Sequence, residues 1–279
     1  MCRLPRITLE FHSRAMSTGL EDLFVRTRAE RRAALIAYIP AGFPSQKKCI
    51  DVIKVLADCG VDAVEIGFPY SDPVMDGPTI QAAADMSLRN GTGAAEVFAT
   101  VNAASATDMA TVVMTYWNPI EKYGVKRFAR DLAANGGSGV ITPDLTIEEA
   151  QDWLSESSSA DVNSIFVVAP STNNERLAKV TAQCSGFIYA ASLMGVTGAR
   201  SDISQSAAEL VGRIRKVSDL PIAVGLGVST GEQAREIATF ADGVIVGSAF
   251  IKILLEGGSD DMAKIEKLAR ELVAGVRGE

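Results

Sequence analysis

Eight short apolar runs, each four to seven residues long, recur along the chain with an amphipathic helical stretch after almost every one: Ala33–Ile39, Ala63–Gly67, Thr111–Thr115, Gly139–Thr142, Ile165–Val168, Phe187–Ala191, Ile222–Gly225 and Gly243–Val246. Runs this short and this continuously apolar read as strands covered on both faces, which is the signature of a parallel sheet. Parallel neighbours need a crossover, and the intervening stretches have helical periodicity. After Ser45, a fair N-cap, Cys49, Val52, Ile53 and Leu56 share one face, with Asp51, Lys54 and Asp58 opposite. Further helices are predicted near Thr79–Leu88, Ala94–Ala104, Val125–Ala134, Ile147–Leu154 and Asn174–Gln183. Another is marked by Ala207, Leu210, Val211, Ile214 and Val217, and a terminal one by Met262, Ile265, Leu268 and Leu272. Eight strands alternating with helices predict an α/β fold, a single (βα)8 TIM barrel with short extra helices. A lead-in helix, Leu20–Arg32, is expected to lay Leu20, Leu23 and Phe24 over one end of it. The alternative, a doubly wound open sheet, lacks the early strand–helix GxGxxG that would support it.

The 279 residues suit one large domain, and no composition break suggests a linker. Residues 1–19 are expected to be a flexible extension, with Met16 an alternative start, and 20–279 a single catalytic barrel. No apolar run reaches the length of a membrane span, and the first residues lack a secretory core, so a cytoplasmic location is expected. A formal charge of −7 argues against nucleic acid as the main ligand. Four cysteines, Cys2, Cys49, Cys59 and Cys184, form no CxxC pair and read as packing residues of a reducing compartment. The single histidine, His12, precedes the first strand, which removes most Ser-His-Asp, Cys-His and multi-histidine metal chemistry from the barrel. No metal is expected. Proton transfer falls to carboxylates, tyrosines or lysines.

The second strand carries the anomaly. Glu65 sits in the middle of Ala63-Val64-Glu65-Ile66-Gly67, where an unpaired charge costs several kcal/mol, roughly, and so must be hydrated, paired or protonated. A loop with three prolines, Pro69, Pro73 and Pro78, follows and carries Asp72 and Asp76. Proline stiffens the backbone and suits a loop that holds acids in place. A lone acid in such a strand is more often a structural ion pair, but three acids at one strand-to-loop junction favour a site. In a barrel that junction lies at the carboxyl end of the strands, the active face.

Two glycine-bearing loops close the barrel part: Gly225-Leu226-Gly227-Val228-Ser229 after the seventh strand and Gly247-Ser248 after the eighth. Barrel phosphate sites often lie there, with backbone N–H groups and a helix N-terminus facing the anion. A third loop, Gly195-Val196-Thr197-Gly198 after the sixth strand, could reach the same anion. With no Lys or Arg in the seventh and eighth loops, binding would rest on dipoles and neutral donors.

From Ala33 to Phe250, in order, Glu65 with FPYSDPVMDGPTIQ, then MGVTG after Tyr189, GLGVS and GSA resemble the tryptophan synthase alpha subunit family. The acid loop is the most specific of these. The resemblance implies a barrel that cleaves indole-3-glycerol phosphate to indole and glyceraldehyde 3-phosphate in tryptophan biosynthesis. It implies no cofactor in this chain and a separate beta subunit, carrying pyridoxal phosphate, in an alpha-beta-beta-alpha complex. It makes Glu65 and Asp76 catalytic, Tyr189, Tyr116 and Thr197 substrate-binding, and Gly198, Gly227, Gly247 and Ser248 phosphate-binding. Leu193-Met194 stands where some members have an arginine, and Pro40–Phe43 replaces a more polar loop. The Ser192–Ser201 loop is expected to act as a lid. The rivals are another phosphate-sugar barrel lyase or isomerase, many of which use a strand-end lysine or histidine absent here, and a non-catalytic barrel that activates a partner, which would not need both acids.

Overall fold

The computed structural model describes residues 19–191, 200–225 and 227–279. Its eight strands pair in parallel, each with its sequence neighbour, and close into a barrel. They are β1 Ala34–Pro40, β2 Ala63–Gly67, β3 Ala110–Met114, β4 Gly139–Thr142, β5 Asn163–Val168, β6 Ile188–Ala191, β7 Ile222–Gly225 and β8 Gly243–Val246. Closure comes from β1 against β8, with Ala34 opposite Gly243. The expected strands are all present, with ends displaced by at most two residues.

Strand alternation divides the apolar residues into two cores. Ala34, Ile36, Ala63, Val112, Ile141, Ile165, Ala223 and Ile245 fill the barrel. Leu35, Ile39, Val64, Ile66, Val113, Val140, Val224 and Val246 pack outward against the helices. Helix α1, Gly19–Ala29, closes the amino end, as its apolar face predicts. Leu20, Leu23 and Phe24 belong to the inner core, and the Phe24 ring lies 5.8 Å from that of Phe187. Gly186 makes this closure possible, because a Cβ there would stand 2.6 Å from a Leu20 methyl and its φ is +72°.

Helix α2, Gln46–Asp58, buries Cys49, Val52, Ile53 and Leu56, and its Ser45 cap accepts the Lys48 N–H at 3.3 Å. It is followed by α3 Pro78–Arg89, α4 Ala94–Ser105, α5 Trp117–Tyr123 and α6 Val125–Ala134. Helix α5 was not among the expected helices; Pro119, in its first turn, removes only a donor that has no intrahelical partner. Helix α7 runs Gln151–Ser159 and not Ile147–Leu154. Thr146–Glu149 form a turn, with Glu149 N–H to Thr146 O at 3.1 Å, and the serines continue the helix by bonding back to it: Ser159 Oγ donates to Ser155 O at 2.8 Å. The remaining helices are α8 Asn174–Thr181, α9 Arg200–Ile214, α10 Gly231–Ala238, α11 Ser248–Glu256 and α12 Asp261–Arg277. No helix among the described residues is long and apolar enough to cross a membrane.

Candidate active site

Glu65 points into the barrel, two residues beyond Ala63 on the same face of β2. It is 1% exposed, and its Oε2 is enclosed without a hydrogen-bond partner among the described residues. Burial first, and the nearby Asp76 carboxylate second, push its pKa up to about 8. The group is therefore held protonated at neutral pH, which is how the fold tolerates an acid in an apolar core.

The proline loop brings Asp76 over this position. Tyr116, at the end of β3 and the N-cap of α5, is 3% exposed, and its hydroxyl accepts the Met75 N–H at 3.1 Å. Its ring stacks at 5.2 Å on that of Tyr70, so the loop is pinned at both ends to aromatic rings. Gln81 Nε2 donates to Asp76 O at 2.8 Å, fixing the exit into α3. Burial raises the Asp76 pKa, and the neighbouring Tyr116 hydroxyl partly offsets it. Asp72, by contrast, is exposed and accepts from Ser71 Oγ at 2.6 Å.

From the far wall Tyr189 on β6 faces the same space. A Cβ on Gly225 of β7 would lie 2.5 Å from its hydroxyl oxygen, so glycine there is a clearance for the ring. The Tyr189 hydroxyl is held well above its ordinary pKa by burial and then by Glu65 and Asp76. The mouth thus collects Glu65, Asp76, Tyr116 and Tyr189. It also holds Tyr38 of β1, which nothing in the sequence singled out. Tyr38 stands opposite Glu65 in the strand register, and Ala34 and Ile36 before it face the barrel interior. That inward period of two was the one signal that could have found it.

At the β7–β8 rim, Gly227 takes a φ of +69°, and Gly247 is the N-cap of α11, followed by Ser248. The Gly247 carbonyl receives the Phe250 and Ile251 N–H groups, and the helix start leaves Ser248 and Ala249 N–H without intrahelical partners. This is the donor arrangement an anion needs at a helix start. Thr197, Gly198 and the expected lid of Ser192–Ser201, except for the backbone of its last residues, lie outside the described residues.

A hollow of about 830 Å³ is at the opposite end of the barrel, lined by Arg26, Arg32, Asp62 and Arg277 among others. Size is a poor guide here, because these charges are largely engaged with each other. Asp62 takes two bonds from Arg32 at 2.7 and 2.8 Å, one from Arg26 at 3.2 Å and the Leu35 N–H at 3.0 Å. The described residues contain no group of His, Cys, Asp and Glu side chains placed to hold a metal ion.

The family model for the tryptophan synthase alpha chain matches residues 24–277. The tryptophan synthase alpha chain of Nocardia farcinica is 53% identical over 263 residues, covering 94% of this chain and 97% of that protein. That of Acidothermus cellulolyticus is 52% identical over 260 residues, 93% and 97% of the two chains. A solved structure of Mycobacterium tuberculosis tryptophan synthase superposes with a TM-score of 0.87 at 51% identity, over 92% of this chain and 98% of the other. Tryptophan synthase subunit alpha from Legionella pneumophila keeps a TM-score of 0.87 at 29% identity, over 95% and 100%.

Proposed function

The chain belongs to the tryptophan synthase alpha chain family, and on that footing we propose that its barrel mouth cleaves indole-3-glycerol phosphate with Glu65 and Asp76 as the reacting carboxyls. The observation that carries this reading is a buried carboxyl inside the barrel, its Oε2 without a hydrogen-bond partner among the described residues, with a second carboxyl above it. Cleavage requires a proton delivered to the ring carbon that bears the chain. The bond to the chain then breaks, its electron pair returns to the ring, and the hydroxyl on the departing carbon loses its proton as the aldehyde forms. Glu65 gives the first proton and takes the second, so the carboxyl ends as it began. Asp76 accepts the ring N–H and stabilises the positive charge of the protonated ring. Tyr116 holds Asp76, and Tyr189, with Thr197, lines the ring's place. Gly227, Gly247, Ser248 and Gly198 receive the phosphate and so fix the chain between its two ends.

The partner of this reading is a tryptophan synthase beta subunit, in an alpha-beta-beta-alpha complex, with pyridoxal phosphate in the beta subunit and no cofactor in this chain. Val74, 76% exposed at the outer edge of the acid loop, is an apolar side chain that such a partner would cover. The deciding experiment is indole release from indole-3-glycerol phosphate by the purified chain. Absence of indole, with and without a beta subunit, would overturn the assignment.

A more specific expectation concerns Asp76→Asn. Its amide oxygen still accepts the ring N–H, but the negative charge is gone, so kcat falls by roughly 10²-fold while inorganic phosphate binds as before. Full activity of this variant would remove Asp76 from the chemistry.

A further inference from the structure

Tyr38 is in a position that the reaction above leaves unused. Its ring fills the gap between two glycines that belong to the two working ends of the site. A Cβ on Gly67 would stand 2.3 Å from the Tyr38 hydroxyl oxygen and 2.7 Å from Cζ, and a Cβ on Gly247 would stand 3.0 Å from Cδ1 and 3.1 Å from the Tyr38 Cβ. Gly67 follows Glu65 by two residues on the same face of β2, so the hydroxyl lies one layer above the Glu65 stem, toward the mouth. Gly247 is the last residue before α11, at the corner where the phosphate is read. Neither glycine has the positive φ that would require one on conformational grounds, so both are clearances for this ring.

The residue is only 6% exposed, yet its hydroxyl makes no hydrogen bond to any described residue and is not among the enclosed, unpartnered polar atoms. The ring is buried while the hydroxyl opens onto the mouth, which leaves its O–H free for a ligand. Burial, then Asp76 and Glu65, hold it well above its ordinary pKa, so it remains an O–H donor across the working range.

We propose that the Tyr38 hydroxyl donates a hydrogen bond to the middle hydroxyl of the substrate's glycerol chain, the one between the carbon that becomes the aldehyde and the phosphate-bearing carbon. This rests on the reaction proposed above. The ring and the phosphate fix the two ends of the substrate, and Tyr38 fixes the chain between them. It sets the depth at which the reacting hydroxyl meets Glu65, and it makes the site select a hydroxylated chain over a bare alkyl one.

The test compares wild type with Tyr38→Phe, which keeps the ring between the glycines and removes one oxygen. Two ligands are used: indole-3-glycerol phosphate, assayed for indole release, and 3-(indol-3-yl)propyl phosphate, which keeps ring and phosphate but lacks both chain hydroxyls, with Kd measured by calorimetry. The expected result is a fall of about tenfold in kcat/KM, the value of one hydrogen bond, with the Kd of the propyl phosphate changed by less than about twofold. Wild-type kcat/KM in Tyr38→Phe overturns the proposal. Equal weakening of both ligands also overturns it, because it would show that Tyr38 only shapes the pocket. A wild-type protein that releases no indole overturns the functional reading itself, and the proposal falls with it.

Discussion

Glu65→Gln abolishes most indole release while leaving the barrel folded. The loss exceeds the ~10²-fold typical of a missing general acid or base, because one carboxyl serves both proton transfers and glutamine can perform neither. Steady-state assays settle this: turnover within about tenfold of wild type would exclude Glu65 as the proton-transfer group. The same variant changes how stability depends on pH. With a folded pKa of about 8 against an ordinary 4.5, the folded chain keeps this proton over an interval in which the unfolded chain has lost it. Folded protein then binds more protons than unfolded, so the wild type loses stability as pH rises from about 4.5 to about 8. Glu65→Gln has no such proton, and denaturant titrations across this range show the loss removed. For the wild type, kcat/KM falls as pH rises through about 8, where the proton donor of the free enzyme ionises.

Asp62→Ala has the largest expected effect on stability and little on chemistry. Asp62 is at the amino end of β2, with its side chain 3% exposed, and the fork of Arg32 that clasps it is 9% exposed. The same bonds hold the Arg32 guanidinium above its ordinary pKa. Removing one partner of such a buried pair costs about 3–5 kcal/mol, because the Arg32 guanidinium loses both bonds to its buried counter-ion and keeps only the exposed Glu30 carboxylate, at 2.5 Å. The Leu35 N–H also loses its carboxylate acceptor, although Asp62 N–H still donates to Leu35 O at 3.0 Å. Calorimetry should show a Tm lower by on the order of 10 °C, with kcat/KM at 20 °C near that of wild type. A shift of a degree or two would mean that the pair is no more than a surface ion pair.

The barrel was legible because its strands are buried on both faces, so each appears as a short apolar run whatever its neighbours do. Glu65 was legible for the converse reason: a carboxyl in such a run stands out without any knowledge of its surroundings. Asp76 was legible only as one of two loop acids. What separates it from Asp72 is Tyr116, 40 residues away, which pins the loop through Met75. Tyr38 was hidden because a tyrosine in an apolar strand reads as core, and its exceptional position depends on two glycines from other strands. Gly225 and Gly247, read from the sequence as parts of phosphate loops, also make room with their missing side chains for Tyr189 and Tyr38. A helix end failed where serines bond back to the helix, as at Ser159, and helix α5, with Pro119 in its first turn, was not foreseen.

The plug formed by Leu20, Leu23 and Phe24 against Phe187 makes the barrel, among the described residues, a cup closed at its amino end. Nothing apolar can leave through the floor, so whatever enters past Asp76 must depart past it. In a cup the route out is the route in, and control of the rim is control of traffic in both directions. A product as small and apolar as indole therefore goes wherever the mouth faces. A partner docked over the mouth needs no separate exit channel in this chain, because the closed floor already directs the only flow toward it.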